Sequence, residues 1–353
     1  MTTETLRGNL PFQFGDLIRL WFSENARDLP WRRERTPYRV WIAEVMLQQT
    51  VVPAVAKRFD QWMKLFPTVE ALSEAAESEV LAAWEGLGYY SRARNLHKTA
   101  QIITQKYGGA FPNDRESLEA LSGIGSYTTA AILSMAFDQP VPALDVNVRR
   151  VMSRFFGETR TDREVTGFLT EVAIASSPTA AGEALMELGQ LICTGRNPNC
   201  NNCPFINFCK TRGELASEVE RRDKRKTINR RDEIVVVALQ AGSILIKPAG
   251  KEGLFAGLNL LPTLSTIDLA DIEKRVTDYI GEMNVLRIER LKPVMHYFTT
   301  NAVRLNPVLV YVKNLQQSSD GFKWAALSTL STMAFPSAHR KILEQAKVKC
   351  DLF

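Results

Sequence analysis

The sequence predicts two domains of different class: an all-helical domain over residues 1–210 and a smaller α+β domain over 232–353, joined by a charged linker over 211–231. Three observations carry this. At 353 residues the chain exceeds what one hydrophobic core ordinarily organises. Apolar residues recur close to a 3.6 period in the first part, at Val40, Trp41, Val45, Met46 and Leu47, and again at Leu72, Ala75, Ala76, Val80 and Leu81. Beyond the linker the texture changes to short β-branched runs at 234–238, 243–246 and 308–312, bounded by Gly, Asn and Pro.

The individual elements follow from the same signals. Gly86, Gly88, Gly108 and Gly109 punctuate the helical segments, and Pro53, Pro67 and Pro112 sit near their boundaries. An apolar helix spans 130–136, a further helix spans 146–155, and helix continues through Leu185, Leu188 and Leu191 toward a group of cysteines. In the second domain, helices are expected over 265–280 and 337–348. Apolar residues at 45% and charged residues at 24% are ordinary for a soluble globular protein. The N-terminal residues have no apolar stretch of signal-peptide length, and no run of about 18 apolar residues occurs. A cytoplasmic monomer that does not enter membranes is expected. The net charge is +5, and residues 211–231 hold eight Lys/Arg against four Asp/Glu, which suits a solvated linker and a nucleic-acid contact equally.

Four of the five cysteines, Cys193, Cys200, Cys203 and Cys209, fall within seventeen residues with six, two and five residues between them. Clustered thiols in a chain of this size point to metal rather than disulfides, and four thiolates can surround either zinc or an iron–sulfur cluster. Cys350 stands apart and reads as an ordinary terminal cysteine.

The run Leu121-Ser122-Gly123-Ile124-Gly125-Ser126-Tyr127-Thr128 precedes the 130–136 helix. Its two glycines let a turn tighten and bring backbone N–H groups against a phosphate at a helix N-terminus. Many helix–helix connections share such a turn. Two carboxyl groups also stand out. Glu44 lies in the otherwise apolar helical stretch 41–47, where burial would raise its pKa. Asp145 opens the 146–155 helix, whose dipole favours an anion. Taken singly, Glu44 also suits a solvated helix face and Asp145 a simple N-cap.

The cysteine spacing and the Gly-x-Gly turn together resemble the iron–sulfur loop and helix-hairpin-helix of the endonuclease III superfamily of DNA glycosylases. The strings Leu29-Pro30-Trp31-Arg32, Thr36-Pro37-Tyr38, Glu44-Val45-Met46-Leu47-Gln48-Gln49-Thr50 and Gly86-Leu87-Gly88-Tyr89-Tyr90-Ser91-Arg92-Ala93-Arg94-Asn95-Leu96 are similar to those of MutY-type adenine DNA glycosylases. The resemblance is strong over roughly 16–210 and weak beyond. It implies a helix-hairpin-helix glycosylase domain with a structural [4Fe–4S] cluster on the four cysteines, followed by a Nudix-like domain.

The resemblance also implies roles. Glu44 would protonate adenine, Asp145 would stabilise the sugar cation or a covalent intermediate, Tyr127 would assist, and Asn147 would order the site. Two carboxyl groups in different environments can divide such work. Trp31, Arg32, Leu47 and Glu183 would line an adenine pocket. Gln48, Gln49, Thr50, Tyr89, Gly123, Gly125 and Ser126 would meet DNA, with Gln49 and Tyr89 entering the base stack. Relatives that cleave the strand carry a lysine where Tyr127 stands; a phenol cannot form a Schiff base, so an abasic product is expected. The partner implied is double-stranded DNA carrying adenine mispairs, in the nucleoid if the source is bacterial.

Several positions depart from the family pattern. Ser122 replaces a usual proline, Val146 a glycine beside Asp145, and Asn259 a tryptophan in the glycine-rich segment 253–262. Phe298, Thr299 and Thr300 stand where a Phe-Ser-His loop that reads 8-oxoguanine is expected, so Thr300 removes an imidazole. Weaker preference for 8-oxoguanine over guanine follows. Two competing readings remain: a glycosylase of this fold with another target base, and a non-catalytic iron–sulfur DNA-binding protein.

Overall fold

The computed structural model describes residues 10–212, 229–250, 253–265, 285–297, 301–313 and 321–350, with positions 274 and 278 between them. These residues form two compact units, one from 10–73 and 98–212, the other from 74–97 together with the described residues of 229–350. The helices are α1 (Leu10–Asn25), α2 (Pro37–Leu47), α3 (Val52–Leu65), α4 (Val69–Glu74), α5 (Glu77–Ala83), α6 (Ser91–Tyr107), α7 (Arg115–Glu119), α8 (Ser126–Ala136), α9 (Val146–Phe156), α10 (Asp162–Ala175) and α11 (Leu185–Leu191). No helix among the described residues is long and apolar enough to cross a membrane.

Local chemistry sets these boundaries. Pro37 and Pro53 sit in the first turns of α2 and α3, where a missing N–H costs nothing. Thr161 and Glu164 form a reciprocal capping box on α10. Between α10 and α11 the chain makes one π-helical turn, Ala180–Ala184, a form often found at functional positions. The first unit's core joins Phe14 and Ile18 of α1, Val148, Met152 and Phe155 of α9, and Leu169 and Val172 of α10. Phe14 stacks on Phe205 at 4.2 Å and meets Phe155 edge-on at 4.9 Å, tying the cysteine segment to this core.

The second unit is α+β. Its strands are β1 (Asn229–Gln240), β2 (Ser243–Pro248), β3 (Asn259–Leu260), β4 (Thr263–Ser265), β5 (Val285–Arg290), β6 (Val294–Tyr297), β7 (Asn301–Val312) and β8 (Lys323–Ala326), followed by helix α12 (Ser337–Cys350). The sheet runs β3-β2-β1-β7-β5, with β4 on β1, β6 on β7 and β8 on β2. β1 and β7 pair in parallel, Asn229 opposite Asn301, and the remaining pairs are antiparallel. The unbroken apolar run 234–238 is explained by burial on both faces. Val235, Val237 and Leu239 share a cluster with Ile342 and Leu343 of α12, whereas Ile234, Val236 and Ala238 pack with Val308 and Val310.

Three expectations are corrected or limited. Ser265 ends β4, drawn into the ladder opposite Glu233, rather than opening a helix; most of the 265–280 segment lies outside the described residues. β1 begins at Asn229, inside the span expected to be linker, because its parallel ladder with β7 extends that far; the linker's residues 213–228 lie outside the described residues. Glu74–His97 packs with the C-terminal residues rather than with the helices that flank it in sequence. Among its anchors, Tyr90 Oη donates to Phe335 O (2.8 Å), Arg94 Nη1 to Ala256 O (2.7 Å), and Arg340 forks onto Glu85.

Candidate active site

The first unit holds a cleft of about 730 Å³, within the roughly 300–1,000 Å³ usual for ligand sites. Glu44, Leu47, Gln48, Thr50, Tyr127, Asp145 and Asn147 line it, and so does the exposed Val146. Three elements bring them together. α2 is capped by Thr36, whose hydroxyl accepts from Arg39 N at 3.3 Å, and is buried almost all round, which carries Glu44 inside with its apolar neighbours. α8 begins just after the Gly123–Gly125 turn and projects Tyr127. α9 begins just after Asp145.

The two carboxyl groups have different surroundings. Glu44 is 7% exposed. Burial pushes its pKa up to about 7; a hydrogen bond with Tyr127 opposes this, and the negative charges of Glu183 and Asp145 add to it. Tyr127 is likewise pushed well above the usual phenol range, by burial first and then by Glu44 and Asp145. Its hydroxyl also approaches Met186 Sδ at 3.3 Å. Asp145, half-buried, is the N-cap of α9: Oδ1 accepts from Val148 N at 2.7 Å and Oδ2 from Asn147 Nδ2 at 2.6 Å. Asp145 thus accepts two hydrogen bonds at the N-terminal end of α9. Such a pair can deliver a proton from one group and stabilise a cation with the other.

Asn147 is itself held. Arg150 Nη2 donates to Asn147 Oδ1 (2.9 Å) and to Gly189 O (2.7 Å), and Arg150 Nε to Cys193 O (3.0 Å). A Cβ built on Gly189 would lie 2.7 Å from Asn147 Cβ, so only glycine lets α11 approach α9 this closely. Arg154, one turn further, donates to Thr194 O (2.6 Å) and Gly195 O (2.8 Å). α9 therefore runs from the aspartate to the cysteine segment.

Trp31, Arg32 and Glu183 do not line the cleft. Trp31 packs edge-on against Phe59 at 5.7 Å. Arg32 Nε reaches Glu183 Oε1 at 2.6 Å and its two terminal nitrogens reach Glu187 at 3.0 and 3.1 Å. Arg35 pairs with Glu183 at 2.8 Å, while Arg27 binds Glu187 through Nε at 2.8 Å and also lines the cleft. Burial alone would raise Glu187's pKa, but Arg27 and Arg32 hold it at about 2. Sequence reasoning missed Arg27, Glu187, Arg150 and Arg154. The four-residue spacing of Glu183 and Glu187 is the one signal in the sequence that could have suggested their shared partners.

Gly123 (φ +80°), Gly125 and Ser126 form an exposed turn with the α8 N-terminus behind it. Ser122 O accepts from Thr99 Oγ1 at 2.7 Å, which fixes the turn from inside. Gln49 and Tyr89 are exposed and both adopt the left-handed region, at φ +56° and +48°. Non-glycine residues are uncommon there. Phe298, Thr299 and Thr300 lie outside the described residues. Asn259 Nδ2 reaches Ala334 O at 3.4 Å.

Cys193, Cys200, Cys203 and Cys209 line one small cavity with Arg154, Ile192, Pro198 and Ile206. Among the described residues no three His, Cys, Asp or Glu side chains converge as a single ion requires.

Residues 42–173 match the family model described as HhH-GPD superfamily base excision DNA repair protein. The chain is similar to a thermostable thymine-DNA glycosylase of known structure (TM-score 0.54, 26% identity, 59% of this chain and 99% of that one). Over nearly its whole length it is similar to the adenine DNA glycosylase of Buchnera aphidicola subsp. Schizaphis graminum, 30% identical over 349 residues that cover 94% of this chain and 98% of the relative. The adenine DNA glycosylase of Mycolicibacterium smegmatis is 39% identical over 212 residues, covering 58% and 72%. The chain belongs to the adenine DNA glycosylase family.

Proposed function

We propose that this chain is a monofunctional glycosylase that flips adenine out of a mispair in double-stranded DNA and leaves an abasic site. The observation that carries this reading is the pairing in one cleft of Glu44, held near neutral acidity, with Asp145 at a helix N-terminus. Glu44 donates its proton to the adenine ring, and the bond between adenine and C1′ breaks with its electron pair leaving on the base. Asp145 stabilises the sugar cation, directly or as a covalent intermediate, until water adds at C1′. Tyr127 tunes Glu44 and supplies no amine, so no strand cleavage follows. Asn147 holds Asp145 in place, and Leu47 supplies an apolar wall for the base. Trp31, Arg32 and Glu183 belong to the adenine pocket on this reading.

The exposed Gly123–Ser126 turn suits a DNA phosphate, and Gln49 and Tyr89 suit the stack left open by the flipped base. The four cysteines line one cavity, a donor set that fits a [4Fe–4S] cluster. Cys193, Cys200, Cys203 and Cys209 would hold the cluster on the segment that Arg150 and Arg154 tie to α9. The second unit is read as a Nudix-like domain that faces 8-oxoguanine, with Thr299 keeping a hydroxyl and Thr300 lacking the imidazole. Loss of one base contact costs roughly 1–3 kcal/mol of discrimination. The whole-chain similarity to adenine-specific relatives favours adenine over thymine, the target named for the structural neighbour, which matches the helical part alone.

The test uses duplexes with adenine opposite 8-oxoguanine, guanine or thymine, followed by alkali. Breaks at adenine only after alkali are expected, with 8-oxoguanine preferred modestly over guanine. Breaks without alkali, or none at adenine, would overturn the reading.

A further inference from the structure

We infer that the Glu85–Arg340 ion pair and the Tyr90–Phe335 hydrogen bond are positioning contacts that hold the Tyr89 turn ready to insert into duplex DNA. The inference rests on the glycosylase reading above. The turn 86–89 has left-handed backbone at Gly86 (φ +92°), Gly88 (+70°) and Tyr89 (+48°). Glycine adopts this region freely, whereas tyrosine is strained in it and persists there only where its surroundings hold it. The turn's neighbours are buried, Trp84 at 0%, Leu87 at 5% and Tyr90 at 6% exposure, yet Tyr89 is 46% exposed. A flat ring is thus presented to solvent on a fixed backbone, the form of a side chain that wedges between base steps.

The turn is held from inside and at both ends. Inside, Trp84 Nε1 donates to Gly88 O (2.9 Å), and Arg92 Nη2 to Leu87 O (2.8 Å) and Gly88 O (3.1 Å). The Arg92 guanidinium also lies over the Trp84 and Tyr89 rings, at 5.1 and 5.7 Å. At the ends, Glu85 and Tyr90 immediately bracket the turn, and both are tied to the short stretch 330–340. Arg340 forks onto Glu85 at 2.7 and 2.8 Å, both side chains less than one-fifth exposed. The same guanidinium donates to Leu330 O (2.9 Å) and Met333 O (2.6 Å) and covers the Phe335 ring at 5.0 Å. Phe335 O accepts from Tyr90 Oη at 2.8 Å. The C-terminal residues therefore fix the two ends of the turn that presents Tyr89. A ring already ordered loses less freedom on insertion.

The test is a double-mutant cycle in the full chain, read by 2-aminopurine fluorescence beside the mispair and by single-turnover adenine release. Arg340→Met should lower both readouts about tenfold, and Tyr90→Phe, which removes one hydroxyl, about threefold. In a Tyr89→Ala background neither substitution should cause further loss. Losses that multiply in that background, or a stably folded Arg340→Met and Tyr90→Phe that both match the parent, would overturn the inference. If Arg340→Met does not fold, the Tyr90→Phe cycle decides. A parent protein that unstacks the probe but releases no adenine would sink the enzymatic reading alone, and the fluorescence cycle would still decide this one.

Discussion

Glu44→Gln should abolish adenine excision and, at the same time, stabilise the protein in mildly alkaline solution. Burial raises the Glu44 pKa from 4.5 to about 7, so the folded state binds this proton more tightly than the unfolded chain does. The resulting stability is fully present below pH 4.5 and is lost as pH rises through about 7. A gap of roughly 2.5 units at 1.36 kcal/mol per unit comes to about 3 kcal/mol. Glutamine occupies the same space without a charge to bury. The variant's stability relative to the parent should therefore improve by about 3 kcal/mol between about pH 4 and pH 8. Urea unfolding without DNA measures this across pH, with single-turnover excision run in the same buffers. The parent's excision should fall as pH rises through about 7, where the acid loses its proton. A stability difference that does not change with pH, or a variant with parental activity, would refute the assignment of Glu44 as a buried acid.

Tyr127→Phe removes a hydrogen bond that lowers Glu44's pKa, so the descending limb of the excision profile should move to higher pH, by about one unit; an unmoved limb, or one displaced downward, contradicts the contact. Gly189→Ala forces a Cβ to within 2.7 Å of Asn147 Cβ and displaces the side chain that donates to Asp145. Excision should fall about a hundredfold while DNA affinity changes little, as a gel-shift titration beside single-turnover rates would report. Glu187→Gln leaves Arg27 without an anionic partner and Arg32 with Glu183 alone, and should cost roughly 3–5 kcal/mol in urea unfolding at neutral pH. Because Glu187's pKa is held at about 2, its contribution is present above 4.5 and is lost as pH falls toward 2, so parent and variant should converge in acid.

What the sequence disclosed was mostly local. The run 234–238 is apolar without alternation, and it proved to be a strand covered on both faces. Glu44 amid apolar helix neighbours and Asp145 ahead of a helix were visible as candidates, but each also suited an ordinary structural role, and only the family resemblance singled them out. Long-range choices were not legible. Nothing in 74–97 distinguishes it from the helices on either side; its anchors Phe335, Ala256 and Arg340 lie 245, 162 and 255 residues away in sequence. Arg32 and Glu183, 151 residues apart, were expected on the pocket wall from resemblance alone; that they bond to each other could not be read from the sequence.

That pairing bears on the chemistry. The interactions that set Glu44's acidity are burial, the Tyr127 hydroxyl and the charges of Glu183 and Asp145, with no guanidinium among them. Arg32 and Arg35 instead reach Glu183, at 2.6 and 2.8 Å. A cation against Glu44 would have favoured its ionised form and removed the proton it has to give. Cations directed at Glu183 make that buried carboxylate tolerable, and its charge in turn helps keep Glu44 protonated near neutrality. Arg32 thus supports the acid without touching it. On the proposed mechanism the ion pairs of Arg32 and Arg35 end on Glu183, and neither guanidinium is among the groups that set the acidity of Glu44.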